Sequence, residues 1–103
     1  MIEGEAILRE LASKAIEIGA DGLEVEYNGG KEEVCAMNRS AGVGFGIASF
    51  PSNQPQAEAL REELYRLAKK KQVVVLQGVR YEMRARIFDS FGEDAFRASL
   101  KRL

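Results

Sequence analysis

Residues Gln72–Phe88 read QVVVLQGVRYEMRARIF, and they decide the fold class. Their spacing predicts two strands, Val73–Leu76 and Val79–Phe88, reversing at Gln77-Gly78. In the longer strand Val79, Tyr81, Met83, Ala85 and Ile87 share one face, while Arg80, Glu82, Arg84 and Arg86 share the other. Apolar against charged at a period of two marks an antiparallel strand with one face buried and one in water. The arginine row is also the densest chemical signal in the chain, so Arg80, Arg84 and Arg86 form the candidate ligand or partner face.

The flanking sequence supplies the other layer. Over residues 3–18, Ile7, Leu8, Leu11, Ala15 and Ile18 recur at helical spacing, and Gly19 is placed to end the helix. Leu23, Val25 and Tyr27 alternate with Glu24 and Glu26, then reverse at Asn28-Gly29-Gly30 into a second strand over Glu32–Asn38. The run Gly42–Phe50 predicts a third strand whose bare glycine face is crossed closely by a backbone or helix. Ser52 or Asn53 is the expected N-cap of a second helix over 55–71. That helix carries Ala57, Leu60, Leu64, Leu67 and Ala68 on one stripe and a Glu62–Arg66 pair on its wet side. Asp89-Ser90-Phe91-Gly92 is a turn, and the tail Glu93–Leu103 fits either a strand or a helix by periodicity. The expectation is one α+β domain over residues 1–103. Two helices pack on one face of a mainly antiparallel sheet of five to six strands, in the order α-β-β-β-α-β-β-(β or α).

Composition excludes more than it proposes. With 103 residues, 46% hydrophobic and 30% charged, the chain is an ordinary globular one. It has no histidine, which removes Ser-His-Asp and Cys-His catalysis and any imidazole metal site. The single cysteine, Cys35, lies beside Glu32 and Glu33 and reads as a buried, inert thiol. No run of eighteen apolar residues occurs, and Glu3 and Glu5 acidify the start. Neither membrane insertion nor a signal peptide is expected, and a cytoplasmic address follows by default. Residues 1–52 hold nine acids and four bases; residues 53–103 hold seven acids and eleven bases. Such asymmetry fits a basic binding face or two halves that attract each other.

Each candidate chemistry has a structural counterpart. The glycines at 42, 44 and 46 match neither a dinucleotide fingerprint nor a phosphate-binding loop, so close packing is preferred. Glu24, Glu26, Glu32 and Glu33 lack calcium-loop spacing, and no metal or other cofactor is expected. Tyr27 and Tyr81 sit in apolar registers and read as core residues. Arg80, Arg84 and Arg86, with Lys69, Lys70 and Lys71 nearby, have the chemistry to bind phosphate. The preferred alternative is a ladder of these arginines against Glu24 and Glu26 on neighbouring strands. Nucleic acid is disfavoured by a pI near 5.6 and by the lack of an aromatic on the arginine face.

Two stretches resemble the domain that precedes the motor domain in type II secretion and type IV pilus assembly ATPases. They are Ile18-Gly-Ala-Asp-Gly-Leu-Glu-Val-Glu26 after a helix, and Gly78-Val-Arg-Tyr-Glu-Met-Arg-Ala-Arg86 followed by Phe91-Gly-Glu93. The resemblance implies that Arg84 matches an arginine thought to approach the motor's nucleotide. Gly92 and Glu93 match a Gly-Glu pair, and Glu26 the acid ending the first strand. The chain departs from the pattern with Glu24 in place of histidine, Asp21-Gly22 in place of Ser-Asp and Arg97 one place short of the next arginine. Gly42–Phe50 has no clear counterpart, and the motor's Walker motifs are absent from this sequence. The resemblance also implies a strand for the tail. The resulting expectation is a non-enzymatic adaptor or regulatory domain that binds a protein, and the resemblance implies a secretion or pilus ATPase component as that partner. The alternative is a sensor of a nucleotide or small anion at Arg80, Arg84 and Arg86.

Overall fold

A computed structural model describes residues 3–103. Helix α1 (Glu3–Glu17) leads into three strands, β1 (Gly22–Asn28), β2 (Lys31–Asn38) and β3 (Val43–Pro51). Helix α2 (Pro55–Lys69) then precedes β4 (Gln72–Leu76), β5 (Val79–Ser90) and β6 (Glu93–Arg102). The strands form one six-stranded sheet in the order β3-β2-β1-β6-β5-β4, every neighbouring pair antiparallel. The fold is α+β, with two helices packed on the sheet. The tail is a strand, and it lies in the interior of the sheet between β1 and β5.

Local chemistry places the ends of the elements. Helix α1 stops at Gly19, whose φ of 80° is open to glycine at no steric cost. There the Gly19 N–H donates to Ile16 O at 3.0 Å and the Ala20 N–H to Ala15 O at 2.9 Å, closing the last turn. Three hairpins use two-residue turns with successive positive φ: Gly29-Gly30, Gln77-Gly78 and Phe91-Gly92. That twist matches the right-handed twist of the strands they join. The second helix starts differently from expectation. Its N-cap is Gln54, with no side-chain cap, and Pro55 takes the first helical position. Proline supplies the helical φ and removes one donor that would need a cap, so Ser52 and Asn53 are released from that task.

The core lies between the helices and one sheet face. Leu8, Leu11, Ala12 and Ala15 of α1 and Leu60, Leu64 and Leu67 of α2 pack with Leu23, Val25, Val34, Ala36, Met83, Phe96 and Leu100. Phe96 is fully buried and meets the Tyr65 ring edge-on, centroids 4.9 Å apart. Ile18 and Tyr27 were placed on core faces by period but are 53% and 41% exposed: Ile18 follows the last residue of α1 and Tyr27 is next to the end of β1. Tyr81 is partly buried against the core, as its register suggests. Arg66 pairs with Glu63 at 2.8 Å and reaches Glu5 of α1 at 3.9 Å, in place of the expected Glu62. The neighbouring helix supplies a second carboxylate on that side.

The glycine-rich strand also corrects its reading. A Cβ on Gly44 would strike the Met37 sulfur, but nothing lies within 4 Å of one on Gly46 or Gly42. Among the described residues no backbone or helix crosses that face at Gly42 or Gly46, and β3 is an edge strand with a bulge opposite Val34/Cys35.

Two substitutions test this packing. A Cβ at Gly4 would run into the Ala59 carbonyl where the helices cross. Gly4→Ala should therefore destabilise by about 1–3 kcal/mol in urea unfolding. Phe91 holds φ 52° while wholly exposed. Phe91→Asn should stabilise by about 0.5–1 kcal/mol, since asparagine tolerates the left-handed conformation better. An unchanged midpoint in either variant would contradict the local geometry assigned to it.

Candidate functional site: a basic groove on the open sheet face

With both helices on one side, the other sheet face is left to solvent. Alternation sends Glu24 of β1, Arg97, Ser99 and Lys101 of β6, and Arg80, Glu82, Arg84 and Arg86 of β5 to that open side. An open groove of about 1010 Å³ is lined partly by this face and partly, past the end of β4, by α2 and by Ala85 and Leu100 of the helix side. Its lining includes Arg39, Lys69, Lys71, Arg84, Arg86, Arg97 and Lys101 against one acid, Glu82. The C-terminal residues of α2, Leu67, Ala68 and Lys69, form one bank.

Two of the three sequence candidates line this groove. Arg84 and Arg86 do; Arg80 lies toward the β4–β5 hairpin, opposite Val75, and outside it. Arg84 Nε donates to Glu82 at 3.2 Å, and Lys71 Nζ reaches the same oxygen at 2.9 Å. Those two contacts, Lys71 first, hold the Glu82 carboxyl below the usual glutamate range. Among the described residues Arg86 and Lys101 form no ion pair with a carboxylate.

The arginine ladder expected against Glu24 and Glu26 does not form. Strand β6 separates β5 from β1, so the arginines of β5 are two strands away from Glu24. Arg97 of β6 takes Glu24 instead, with Nη2 at 3.0 Å and Nε at 3.2 Å from one carboxylate oxygen. Its guanidinium also lies 5.1 Å from the Phe88 ring centroid. The arginine face therefore does carry an aromatic, contrary to the expectation, and Arg97 occupies it. Arg97 and Lys101 belong to the groove although sequence reasoning left them unassigned. Their alternation with Phe96, Ala98 and Leu100 was visible, but it became informative only once the tail was a strand.

The carboxylates Glu24, Glu26, Glu32 and Glu33 divide between the two sides of the sheet. Glu32 is buried on the helix side, 3% exposed, accepting from Ser52 Oγ at 3.0 Å and lying 3.5 Å from Arg61 Nη1. Among the described residues no group of three histidine, cysteine, aspartate or glutamate side chains is placed to hold a metal ion. Cys35 is half-buried rather than buried. Burial, then Glu24, Glu33 and Glu26, push its thiol pKa up. No helix among the described residues is long and apolar enough to cross a membrane.

Comparison with known proteins finds no family model that matches the chain and no curated protein that matches its sequence.

The electrostatics give two outcomes. Cys35 should be alkylated by iodoacetamide at pH 8 more slowly than a free cysteine peptide, because the thiolate is the nucleophile and here it is disfavoured. A rate equal to the peptide's would contradict the site as described. Glu63, 3% exposed, has its pKa raised by burial, against the lowering effect of Arg66. A carboxyl with a raised folded pKa costs stability as pH rises from its unfolded value, about 4.3, through the folded one. The wild-type stability minus that of Glu63→Gln should therefore fall across that window and level off above it. Glu82 acts in the opposite sense, its contribution being lost as pH falls below the unfolded value through the folded one.

Proposed function

We propose that this chain is a non-enzymatic protein-interaction domain whose open sheet face docks an acidic surface or segment of a partner protein. The observation that carries the reading is the charge of the groove. Among the described residues, Lys69, Arg86 and Lys101 stand in it without a carboxylate partner, and Glu82 is the only acid in its lining. An uncovered face of like charge attracts and orients a partner of opposite charge. The groove spans two strands and the end of a helix, which suits a segment of chain more than a compact ligand. The sequence resemblance to the pre-motor domain of secretion and pilus ATPases suggests a component of such an ATPase as the partner class. On that reading Arg84 meets the partner rather than a nucleotide of its own.

A second reading is a sensor of a nucleotide or small anion. Arg86 is favoured for that role because it faces the groove, opposite Arg97 on β6, without an acid of its own. The two readings part in one titration. Acidic peptide, and separately ATP, ADP and Mg²⁺, are added at modest salt while amide shifts are followed. Docking predicts saturable shifts over β5 and β6 with acidic peptide, weakened by added salt. Arg86→Glu with Lys101→Glu should lower that affinity by roughly tenfold or more. Arg84→Ala should cost less than about 1 kcal/mol of stability, since its pair with Glu82 is exposed and shared. Saturation by nucleotide alone would transfer the site to the sensor reading.

A further inference from the structure

We infer that the uncovered edge of β5, Arg84–Ser90, is a lane that accepts an extended acidic strand of the partner. This rests on the docking reading above and specifies the form in which the partner binds. Strand β4 pairs only with Val79–Met83 of β5, whereas β6 pairs with β5 as far as Ser90. Among the described residues, β5 from Arg84 onward pairs with a strand on one side only. Among the described residues, no backbone hydrogen bond outside the helices and ladders reaches this stretch. Alternate residues there direct N–H and C=O groups away from β6, a template for another strand.

Space and charge agree on what would fill it. Leu67, Ala68 and Lys69 line the groove opposite Arg84, Ala85 and Arg86, so the end of α2 borders the lane as a bank. The lane is about 20 Å long, at roughly 3.3 Å per residue. On its open-face side stand Arg84 and Arg86, with Lys71 at the mouth. On its helix side Ile87 is 44% exposed. An incoming strand therefore presents acids at alternate positions beside the arginines and aliphatic residues beside Ile87. Phe91 closes the far end, wholly exposed and at φ 52°. A second copy of this chain fits poorly as occupant, because its edge strands Val43–Pro51 and Gln72–Leu76 contain no acid and its own Arg84–Ser90 edge sets two arginines against the single acid Asp89.

The test uses the whole chain and a synthetic peptide of roughly seven residues alternating glutamate and valine. Its controls are a scrambled peptide of the same composition and two versions N-methylated at alternate amides, one for each edge. Calorimetry reads affinity, and amide hydrogen exchange reads the lane. The alternating peptide should bind, slow exchange within Arg84–Ser90, and lose roughly tenfold or more in affinity on scrambling or on methylation of one edge. Equal binding by all the peptides with unchanged exchange would overturn the lane and leave acidic docking standing. No binding by any of them at millimolar peptide would overturn both.

Discussion

The pairing of β1 with β6 is the contact on which the rest of the structure depends. Each half of the chain builds its own three-stranded meander, β1-β2-β3 and β4-β5-β6, through tight local hairpins. Only the antiparallel register of Gly22–Val25 on Phe96–Ser99 makes them one sheet. Closing so long a stretch of chain has an entropic cost that local turns avoid. Several features offset it at the same place. Val25 is set beside Phe96 and Leu23 beside Ala98, giving the centre of the core. A Cβ on Gly22 would lie 2.8 Å from the Ala98 carbonyl oxygen, so glycine permits the close approach at the seam's end. On the opposite face Glu24, from the acidic half, meets Arg97, from the basic half. The uneven charge of the sequence is thus partly an attraction inside the fold, although the groove retains an excess of positive charge.

A two-layer architecture has a direct consequence for function. Both helices are needed on one sheet face to bury its apolar residues, and an antiparallel sheet tolerates water on the other. The open face is therefore available by construction, and its chemistry follows from the polar half of each strand's alternation. The uneven lengths of β4 and β5, five residues against twelve, add an edge that remains uncovered after the sheet is complete. The end of α2 descends beside this edge because the chain must pass from helix to β4 there. Groove and edge thus share one origin, the short last strand lane.

Helices, hairpin positions and sheet faces were legible in the sequence because each rests on local rules. Gly19, Gly29-Gly30 and Gln77-Gly78 end or reverse elements through backbone conformations that need no distant partner. The alternation of Met83 and Ala85 with Arg84 and Arg86 states which face is wet regardless of neighbours. Charge partners were not legible to the same degree. Glu32 and Glu24 lie in the same acidic, strand-forming half of the chain, yet one is buried against Ser52 and Arg61 and the other pairs with Arg97. The face of a side chain follows from register, but its partner follows from strand order.

By itself the sequence determined an α+β chain with two amphipathic helices, a strongly alternating arginine strand and no histidine, since periodicity and composition are properties of the chain alone. Tertiary structure decided the rest. It made the tail a central strand, because Phe96, Ala98 and Leu100 fill the space between β1 and β5 beneath the helices. It put Arg97 where the β5 arginines were expected to meet Glu24, because β6 lies between them. It gathered Arg39 of the β2–β3 turn, Lys69 of α2, Arg86 of β5 and Lys101 of β6 into one groove. No local pattern encodes that assembly, since strand order is settled by the burial and backbone pairing of the whole sheet at once.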